Sequence, residues 1–217
     1  MVQMLSGLKM DRRIGVIDLG VGNFSSVVNL IRRLGANAEL LSLECDLEEF
    51  DLVILPGVGA FDTAMQIINS SSLRQRLEAY VSLPGNVFVG ICLGMQILSN
   101  GSEEGKLDGL GMIPGYVKKF NFTGCDTKLP VPHMGWNRVE FKQLPFSENW
   151  DEPGRFYFVH SYHFECDEEY ILSKTVYGSS FISAVRNKNI FGFQFHPEKS
   201  GKNGMALFKS VLELSCV

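Results

Sequence analysis

VFVGICLGMQ, residues 87–96, carries the clearest indication of how this chain folds. Its apolar first half predicts a buried strand, and a helix is expected to begin directly after Cys92. Gly90 and Gly94 flank the cysteine and allow the sharp turn that such a junction needs. A strand that runs straight into a helix is the basic unit of a parallel α/β sheet.

Two earlier segments repeat the order of strand, turn and helix. IGVID (residues 14–18) is followed by LGVGN and then by apolar residues at helical spacing, with Gly35 as the expected helix stop. DLVILPG (residues 51–57) is followed by a helix that we expect Asp62 to cap. Three such units predict a parallel sheet that collects ligands at the carboxyl ends of its strands.

The second half of the chain predicts strands separated by turns. The segments are VPHMGWNRVEF, RFYFVHSYHFE, YILSKTV, FISAVRN and IFGFQFHPE, with a turn at residues 187–189. We expect them to add antiparallel strands to the parallel core. A last helix carries Met205, Phe208, Val211 and Leu212 on one face. The predicted fold class is α/β: a single domain with a central, mostly parallel or mixed sheet flanked by helices.

The composition excludes several classes of protein. The 217 residues suffice for one α/β domain, and the net charge of −4 leaves no basic surface for nucleic acid or an anionic membrane. No segment has the apolar length of a membrane span, and residues 1–13 lack the apolar core of a signal peptide. The five cysteines form no CxxC pair, which is typical of a reducing compartment. We expect a cytoplasmic protein.

Cys92 is the first candidate for chemistry. A thiol at such an elbow stands at the start of a helix, whose N–H groups stabilise a thiolate. The N–H of Leu93 is placed to donate to a developing oxyanion, and Gln96 follows about one helical turn later. Taken alone, the segment fits a buried, unreactive cysteine equally well.

His196 and Glu198 supply what a nucleophilic thiol needs. In FQFHPEKSG the histidine ends an apolar strand just before a proline, and the glutamate follows at once. His196 would take the thiol proton and deliver it to a leaving amine, while Glu198 would orient the imidazole and stabilise its cation. Together with the elbow, this pair favours a Cys-His-Glu triad over a histidine that merely ends a strand.

These motifs resemble the class I, triad-type glutamine amidotransferases, in which a GxCxGxQ elbow is joined to a late HPE. Seven segments, in order, are similar to the glutaminase subunits of imidazole glycerol phosphate synthase: IGVIDLGVGN, PGVGAF, GICLGMQ, EEGKLDGLGMIPG, VPHMGWN, YFVHSY and FGFQFHPEKSG. The resemblance implies a flavodoxin-like amidotransferase domain over residues 14–217 and an N-terminal extension over residues 1–13. It implies no cofactor and no metal.

The resemblance also implies roles for individual residues. Cys92 would attack the side-chain amide of glutamine and release ammonia from a γ-glutamyl thioester, with His196 as base and Glu198 as its orienter. Val58 and Leu93 would form the oxyanion hole, which the glycines of PGVG allow to assemble in the active state. The positions implied to hold glutamine are Gly59, Gln96, Ser161 and Tyr162.

A glutaminase of this kind implies a partner that uses the ammonia, because ammonia released into neutral water is mostly protonated. The resemblance implies a (βα)₈-barrel cyclase, joined in a heterodimer, that makes imidazole glycerol phosphate in histidine biosynthesis. The residues implied at that interface are Asn23, Trp136, Asn137 and Lys199. A tryptophan followed by a polar residue suits an interface anchor.

One departure from the family pattern keeps a second partner open. Leu19 and Val21 stand where the family usually has DYGMGN, so a tyrosine hydroxyl is missing. The alternative is a paralogue that passes ammonia to a sugar amidotransferase in surface-polysaccharide biosynthesis. The glutaminase motifs are similar in both branches.

Other classes of function fit the sequence less well. His160, His163 and Cys166 suggest a metal site, but strand alternation predicts that His163 faces away from the other two. A non-catalytic regulatory subunit would usually have lost a member of the triad, and all three are present. A free-standing thiol hydrolase would not need the HMGWN and PGVGAF segments.

Overall fold

A single sheet organises the computed structural model, which describes residues 12–20, 24–122, 129–142 and 154–214. Its strands are β1 (Ile14–Ile17), β2 (Ala38–Leu41), β3 (Leu52–Gly57), β4 (Val87–Cys92), β5 (Tyr116–Lys119), β6 (His133–Phe141), β7 (Gly154–His160), β8 (Tyr162–Glu165), β9 (Ile171–Tyr177), β10 (Ser179–Asn187) and β11 (Ile190–Phe193). Within the described ranges the order is β2-β1-β3-β4-β11-β10-β9-β6-β7, and β8 joins β5 to β10.

The helices cover both faces of the parallel half. They are α1 (Phe24–Arg33), α2 (Phe61–Asn69), α3 (Leu73–Ser82), α4 (Leu93–Gln96) and α5 (Gly201–Leu212). Helices α1 and α5 pack with Val16 and Ile54 on one face, whereas α2 and α3 pack with Ile17 and Val53 on the other. Every residue of β1, β3, β4 and β11 is buried, as expected for parallel strands covered on two sides.

The predicted mixed sheet is confirmed. Strands β2, β1, β3, β4 and β11 run parallel to their neighbours, in the flavodoxin-like order 2-1-3-4 followed by β11. Strand β10 turns back antiparallel to β11 through the expected turn, where Lys188 has a φ of 53°. The remaining second-half strands pair antiparallel. The fold is a single α/β domain.

The structure differs from the sequence prediction at the segment RFYFVHSYHFE. It is not one strand: β7 ends at His160, β8 begins at Tyr162, and Ser161 lies between them. The break occurs because the two halves have different partners, since β7 pairs with β6 whereas β8 pairs with β5 and β10. This change of partner places Ser161 and Tyr162 at a bend beside the elbow of β4.

The prediction that Asp62 caps α2 is wrong. The N-cap is Ala60, without a side-chain cap, and the carboxylate of Asp62 instead accepts hydrogen bonds from the N–H groups of Lys106 and Leu107. The first N–H of α2, from Phe61, donates to Glu104, 3.0 Å away. A carboxylate from a distant loop therefore takes the place of the local cap.

Strand β1 begins at Ile14, the first residue of the predicted amidotransferase domain. Residues 1–11 of the predicted N-terminal extension lie outside the described residues, so its boundaries stay a prediction. No helix within the described ranges is long and apolar enough to cross a membrane.

Candidate active site

Cys92 lies at a strained turn between β4 and α4. Its φ of 55° and ψ of −109° are unusual for a residue with a side chain, and such strain costs about 1–3 kcal/mol. A Cβ atom on Gly94 would lie 1.9 Å from the carbonyl oxygen of Leu55, and one on Gly90 would lie 2.4 Å from the Gly94 oxygen. The two glycines are therefore required because the first turn of α4 packs directly on β3 and β4.

His196 and Glu198 are brought to the same edge of the sheet. The chain leaves β11, the His196 N–H donates to Tyr157 O at 2.8 Å, and a short 3₁₀ helix begins at Pro197. His196 Nδ1 lies 2.8 Å from Glu198 Oε1, and both side chains are almost fully buried. Since the carboxylate only accepts, Nδ1 carries a proton. Nε2 has no hydrogen-bond partner among the described residues and remains available for proton transfer.

The electrostatics of the site favour the protonated form of His196. Burial alone would lower the pKa of His196, but the negative charge of Cys92 and the hydrogen-bonded carboxylate of Glu198 outweigh it and raise this pKa to about 10. The imidazole is therefore protonated at neutral pH. Helix α4 has only four residues, so its dipole contributes less to the thiolate than the sequence suggested.

The predicted oxyanion segment lies beside the nucleophile. Gly57, the last residue of β3, is in register with Cys92, so Val58 and Gly59 follow at the carboxyl edge of the sheet. Gly59 has a φ of +106°, and no atom lies within 4 Å of the place where its Cβ would be. Conformation, and not crowding, is what requires glycine at this position. The roles of Val58 and Leu93 as oxyanion donors stay predictions.

The residues predicted to hold glutamine border the same place. Gln96 is buried, and its Nε2 donates to Tyr162 O at 3.1 Å and to Gln194 Oε1 at 3.0 Å. Ser161 and Tyr162 are half-buried at the bend between β7 and β8. Sequence reasoning missed Gln194, whose Nε2 lies 3.8 Å from Cys92 Sγ. Its place inside the apolar run FGFQF was the only sequence signal, since a strand buried on both faces rarely holds a glutamine.

Three of the predicted interface residues lie on described elements. Trp136 is 48% exposed, its ring contacts Tyr157 edge to face, and Lys199 Nζ lies 5.7 Å from the same tyrosine ring. Asn137 is half-buried next to Trp136 on β6. Asn23 lies outside the described residues. The interface roles of all four residues stay predictions.

The histidines near the bend are packed among aromatic rings. The ring centroids of His160 and His163 lie 5.1 and 4.9 Å from the centroid of Phe120. Both side chains therefore contact the same ring, and the prediction that they face opposite ways is wrong. Alternation fails here because the strand breaks at Ser161. Within the described part of the chain, no group of three or more His, Cys, Asp or Glu side chains is arranged to hold a metal ion.

Known proteins similar to this chain share one family. A relative from Pseudomonas aeruginosa, "Imidazole glycerol phosphate synthase subunit HisH 2", is 46% identical and covers 92% of this chain and 98% of its own length. The "Imidazole glycerol phosphate synthase subunit HisH" of Leptospira borgpetersenii is 41% identical and covers 93% of this chain and 100% of its own.

Solved structures share the fold at lower identity. The "Structure of PurLQS from Thermotoga maritima" superposes with a TM-score of 0.71 at 20% identity, and covers 93% of this chain and 97% of its own. A "Crystal structure of glutamine amidotransferase" gives a TM-score of 0.70 at 19% identity and covers 92% and 98%. Residues 15–214 match the family model described as "Glutamine amidotransferase class-I". The chain belongs to the class I glutamine amidotransferase family.

Proposed function

We propose that this chain is the glutaminase subunit of an imidazole glycerol phosphate synthase, hydrolysing glutamine and passing the ammonia to a cyclase subunit. The observation that carries the proposal is the strained Cys92 beside a buried His196–Glu198 pair, in a chain 41% to 46% identical to subunits of that name over nearly its whole length. An elbow thiol and an oriented imidazolium form the arrangement that acyl transfer to sulfur requires.

The first half-reaction releases ammonia. The Cys92 thiolate attacks the side-chain amide carbon of glutamine, and the electron pair of the C=O bond moves to oxygen, where the N–H groups of Leu93 and Val58 stabilise the negative charge. His196 then gives its Nε2 proton to the amide nitrogen as the C–N bond breaks. Ammonia leaves, and the γ-glutamyl group remains as a thioester on Cys92.

The second half-reaction restores the enzyme. His196, now neutral, removes a proton from water while the water oxygen attacks the thioester carbonyl. Collapse of the tetrahedral intermediate breaks the C–S bond, releases glutamate and returns the thiolate beside an imidazolium. Glu198 holds the proton on Nδ1 throughout, so that Nε2 is always the atom that exchanges protons with the substrate.

Glutamine is held by the residues around the elbow. Both N–H groups of Gln96 are used inside the protein, so its Oε1 is the atom that faces a ligand's donors. Ser161 and Tyr162 lie at the bend between β7 and β8. Gly59 leaves space for the ligand because it has no side chain. The site therefore combines one side-chain acceptor with exposed backbone, which suits an amino-acid substrate.

The exposed surface beside Trp136 receives the synthase partner. Met134 is 62% exposed and Trp136 is 48% exposed, which is unusual for large apolar side chains on a strand. One observation favours a second candidate partner, a sugar amidotransferase. Leu19 is buried at the position where the family has a tyrosine, so this chain lacks that hydroxyl near the site.

The proposal is tested by adding separately purified partners to the chain. The isolated chain is expected to hydrolyse glutamine slowly, because the glycines of PGVG would let the oxyanion hole assemble only in the active state. A cyclase with its nucleotide substrate should stimulate glutamate formation, with ammonia transferred in equal amount. Stimulation only by a sugar amidotransferase would identify the second candidate, and full activity in isolation would indicate a stand-alone hydrolase.

A further inference from the structure

A continuous series of hydrogen bonds leads from Asn137 to the nucleophile, and it includes His133, His160 and Gln194, side chains that the mechanism does not use. We call it the Asn137 relay. Its bonds are Asn137 Nδ2 to His133 Nε2 (3.3 Å), His133 Nδ1 to His160 Nε2 (3.0 Å), His160 Nδ1 to Tyr162 O (2.7 Å), Gln96 Nε2 to Tyr162 O (3.1 Å), Gln96 Nε2 to Gln194 Oε1 (3.0 Å) and Gln194 Nε2 to Cys92 Sγ (3.8 Å).

The direction of each bond follows from the chemistry of its ends. The carbonyl oxygen of Tyr162 only accepts, so His160 Nδ1 donates. Burial lowers the pKa of His160 to about 3 and that of His133 to about 4, so both rings are neutral and each has one donor nitrogen. His160 Nε2 must then accept from His133 Nδ1, which leaves His133 Nε2 to accept from Asn137.

Two of the three amides in the relay, those of Asn137 and Gln96, have no spare donors. The two N–H groups of Asn137 serve His133 and Val176 O, 2.8 Å away, while its oxygen accepts from the N–H of Arg138. The two N–H groups of Gln96 serve Tyr162 O and Gln194. Turning any one amide or ring would leave a buried polar group unpaired, which is unfavourable. Each of these groups therefore fixes the orientation of the next, from Asn137 to Gln96.

Aromatic packing holds the two imidazoles in place. The His133 ring stacks between Phe158 and Tyr177, with centroids 4.8 and 4.0 Å away. The His160 ring contacts Phe120 and Phe181 at 5.1 and 5.2 Å. Both histidines are nearly inaccessible, whereas Asn137 is half-buried and is one of the residues predicted to contact the partner. We therefore take Asn137 as the end of the relay that a partner would reach.

We infer that His133 and His160 are positioning residues that fix the Gln96 amide at the glutamine site and couple it to the partner surface at Asn137. The inference rests on the proposed function, because it assumes that glutamine binds beside Gln96 and that a synthase contacts Asn137. A partner that reorders Asn137 changes the hydrogen bonding of His133, and the hydrogen bonds of the relay lead from there to Gln96.

The test compares His133→Phe with His163→Phe in the complex with the synthase partner. Phenylalanine fits between the rings that hold His133 but can neither donate nor accept, so the relay is interrupted. His163 contacts the same aromatic cluster and lies outside the relay, which makes it the matched control. His133→Phe should raise the KM for glutamine by about tenfold or more, whereas His163→Phe should change it less than about twofold.

A second readout separates positioning from damage to the structure. Alkylation of Cys92 by iodoacetamide does not use Gln96, so its rate should be unchanged in His133→Phe. A glutamine side chain can both donate and accept, so the KM of His133→Gln should be close to that of the wild type and below that of His133→Phe. If His133→Phe does not fold, Asn137→Asp interrupts the relay from its half-buried end, because a carboxylate cannot donate to His133.

The outcomes distinguish the inference from the proposed function. An unchanged KM in His133→Phe, or equal effects of His133→Phe and His163→Phe, would overturn the relay while glutamine hydrolysis by the wild-type complex still supported the proposed function. A wild-type complex that does not hydrolyse glutamine would instead overturn the proposed function itself. Failure of His133→Gln to restore KM would show that packing, and not hydrogen bonding, is what position 133 supplies.

Discussion

Replacement of Glu198 by glutamine tests the electrostatics of the candidate triad. The side chains have the same shape, and the amide oxygen of glutamine can still accept from His196 Nδ1, so Glu198→Gln removes the charge and keeps the hydrogen bond. In the wild type the pKa of His196 is raised to about 10, with the buried carboxylate 2.8 Å away as one cause. The variant therefore measures how much of the rise in the pKa of His196 depends on that charge.

The expected magnitude follows from the contact. An opposite charge in direct contact raises the pKa of a cation by about 1–3 units, so the pKa of His196 in Glu198→Gln should fall to roughly 7–9. A hydrogen bond to a charged group contributes about 1–1.5 kcal/mol more than one to a neutral group, so kcat/KM should fall roughly 5- to 13-fold at neutral pH. The sign is definite, since a neutral acceptor stabilises imidazolium less than a carboxylate does.

The assay is the pH dependence of kcat/KM for glutamine hydrolysis in the complex. Loss of activity at alkaline pH reports deprotonation of His196 in the free enzyme, because the imidazolium must give its proton to the leaving amine. In the wild type this loss should follow the pKa near 10, and in Glu198→Gln it should move to lower pH. The raised pKa of His196 also stabilises the fold. This contribution should be fully present below pH 6.5 and disappear as the pH rises through the pKa of His196 in the folded protein.

Glu213→Gln is the matched control. Glu213 is exposed and its ion pair with Lys209 spans 4.0 Å, so the same chemical change there should leave kcat/KM and its pH profile unaltered. If Glu198→Gln kept the activity and alkaline limb of the wild type, the carboxylate would not stabilise the imidazolium, and the proposed triad would be refuted.

Three further substitutions probe the elbow, the oxyanion segment and the partner surface. Gly94→Ala places a methyl group 1.9 Å from Leu55 O, so the free energy of unfolding should fall by about 1–3 kcal/mol in denaturant titrations and kcat by about a hundredfold. Gly59→Ala strains a residue with a φ of +106°, and should cost about 1–2 kcal/mol of stability and lower kcat as well. Trp136→Ala should leave unfolding unchanged but weaken partner binding by roughly thirtyfold in calorimetry.

Controls for these substitutions lie far from the site. Gly85 has a φ of +97° with no atom within 4 Å of its Cβ position, so Gly85→Ala should lose similar stability to Gly59→Ala and keep its activity. Leu40 is 53% exposed on β2, and Leu40→Ala should bind the partner normally. Normal kcat in Gly94→Ala or Gly59→Ala, or normal partner affinity in Trp136→Ala, would contradict the role given to that residue.

The sequence predicted the parallel half of the sheet because its strands are continuous apolar runs. β1, β3 and β4 are buried along their whole length, and each is followed by a helix in the chain. Strand β2 was not predicted, because its sequence AELL has two exposed central residues at the edge of the sheet and lacks such a run. The break at Ser161 was not predicted either, since it depends on which strands β7 and β8 meet.

The difference between local sequence patterns and long-range contacts also explains which site residues were predicted. Cys92 and the His196–Glu198 pair are visible in the sequence because each belongs to a short local motif that breaks a strand. Gln194 and the hydrogen bond between His133 and His160 are not visible, because they depend on contacts between residues far apart in the chain. Local spacing therefore predicts the candidate triad, and only the fold gives the more distant side chains that surround it.

The most direct test of covalent catalysis by Cys92 is detection of the γ-glutamyl thioester on this residue. The wild-type complex should be mixed with glutamine, quenched in acid during turnover and analysed by peptide mass spectrometry. One γ-glutamyl group is expected on the peptide that contains Cys92, and neither this adduct nor glutamate formation is expected in Cys92→Ala. Glutamate formation at the wild-type rate by Cys92→Ala would show that Cys92 is not the nucleophile.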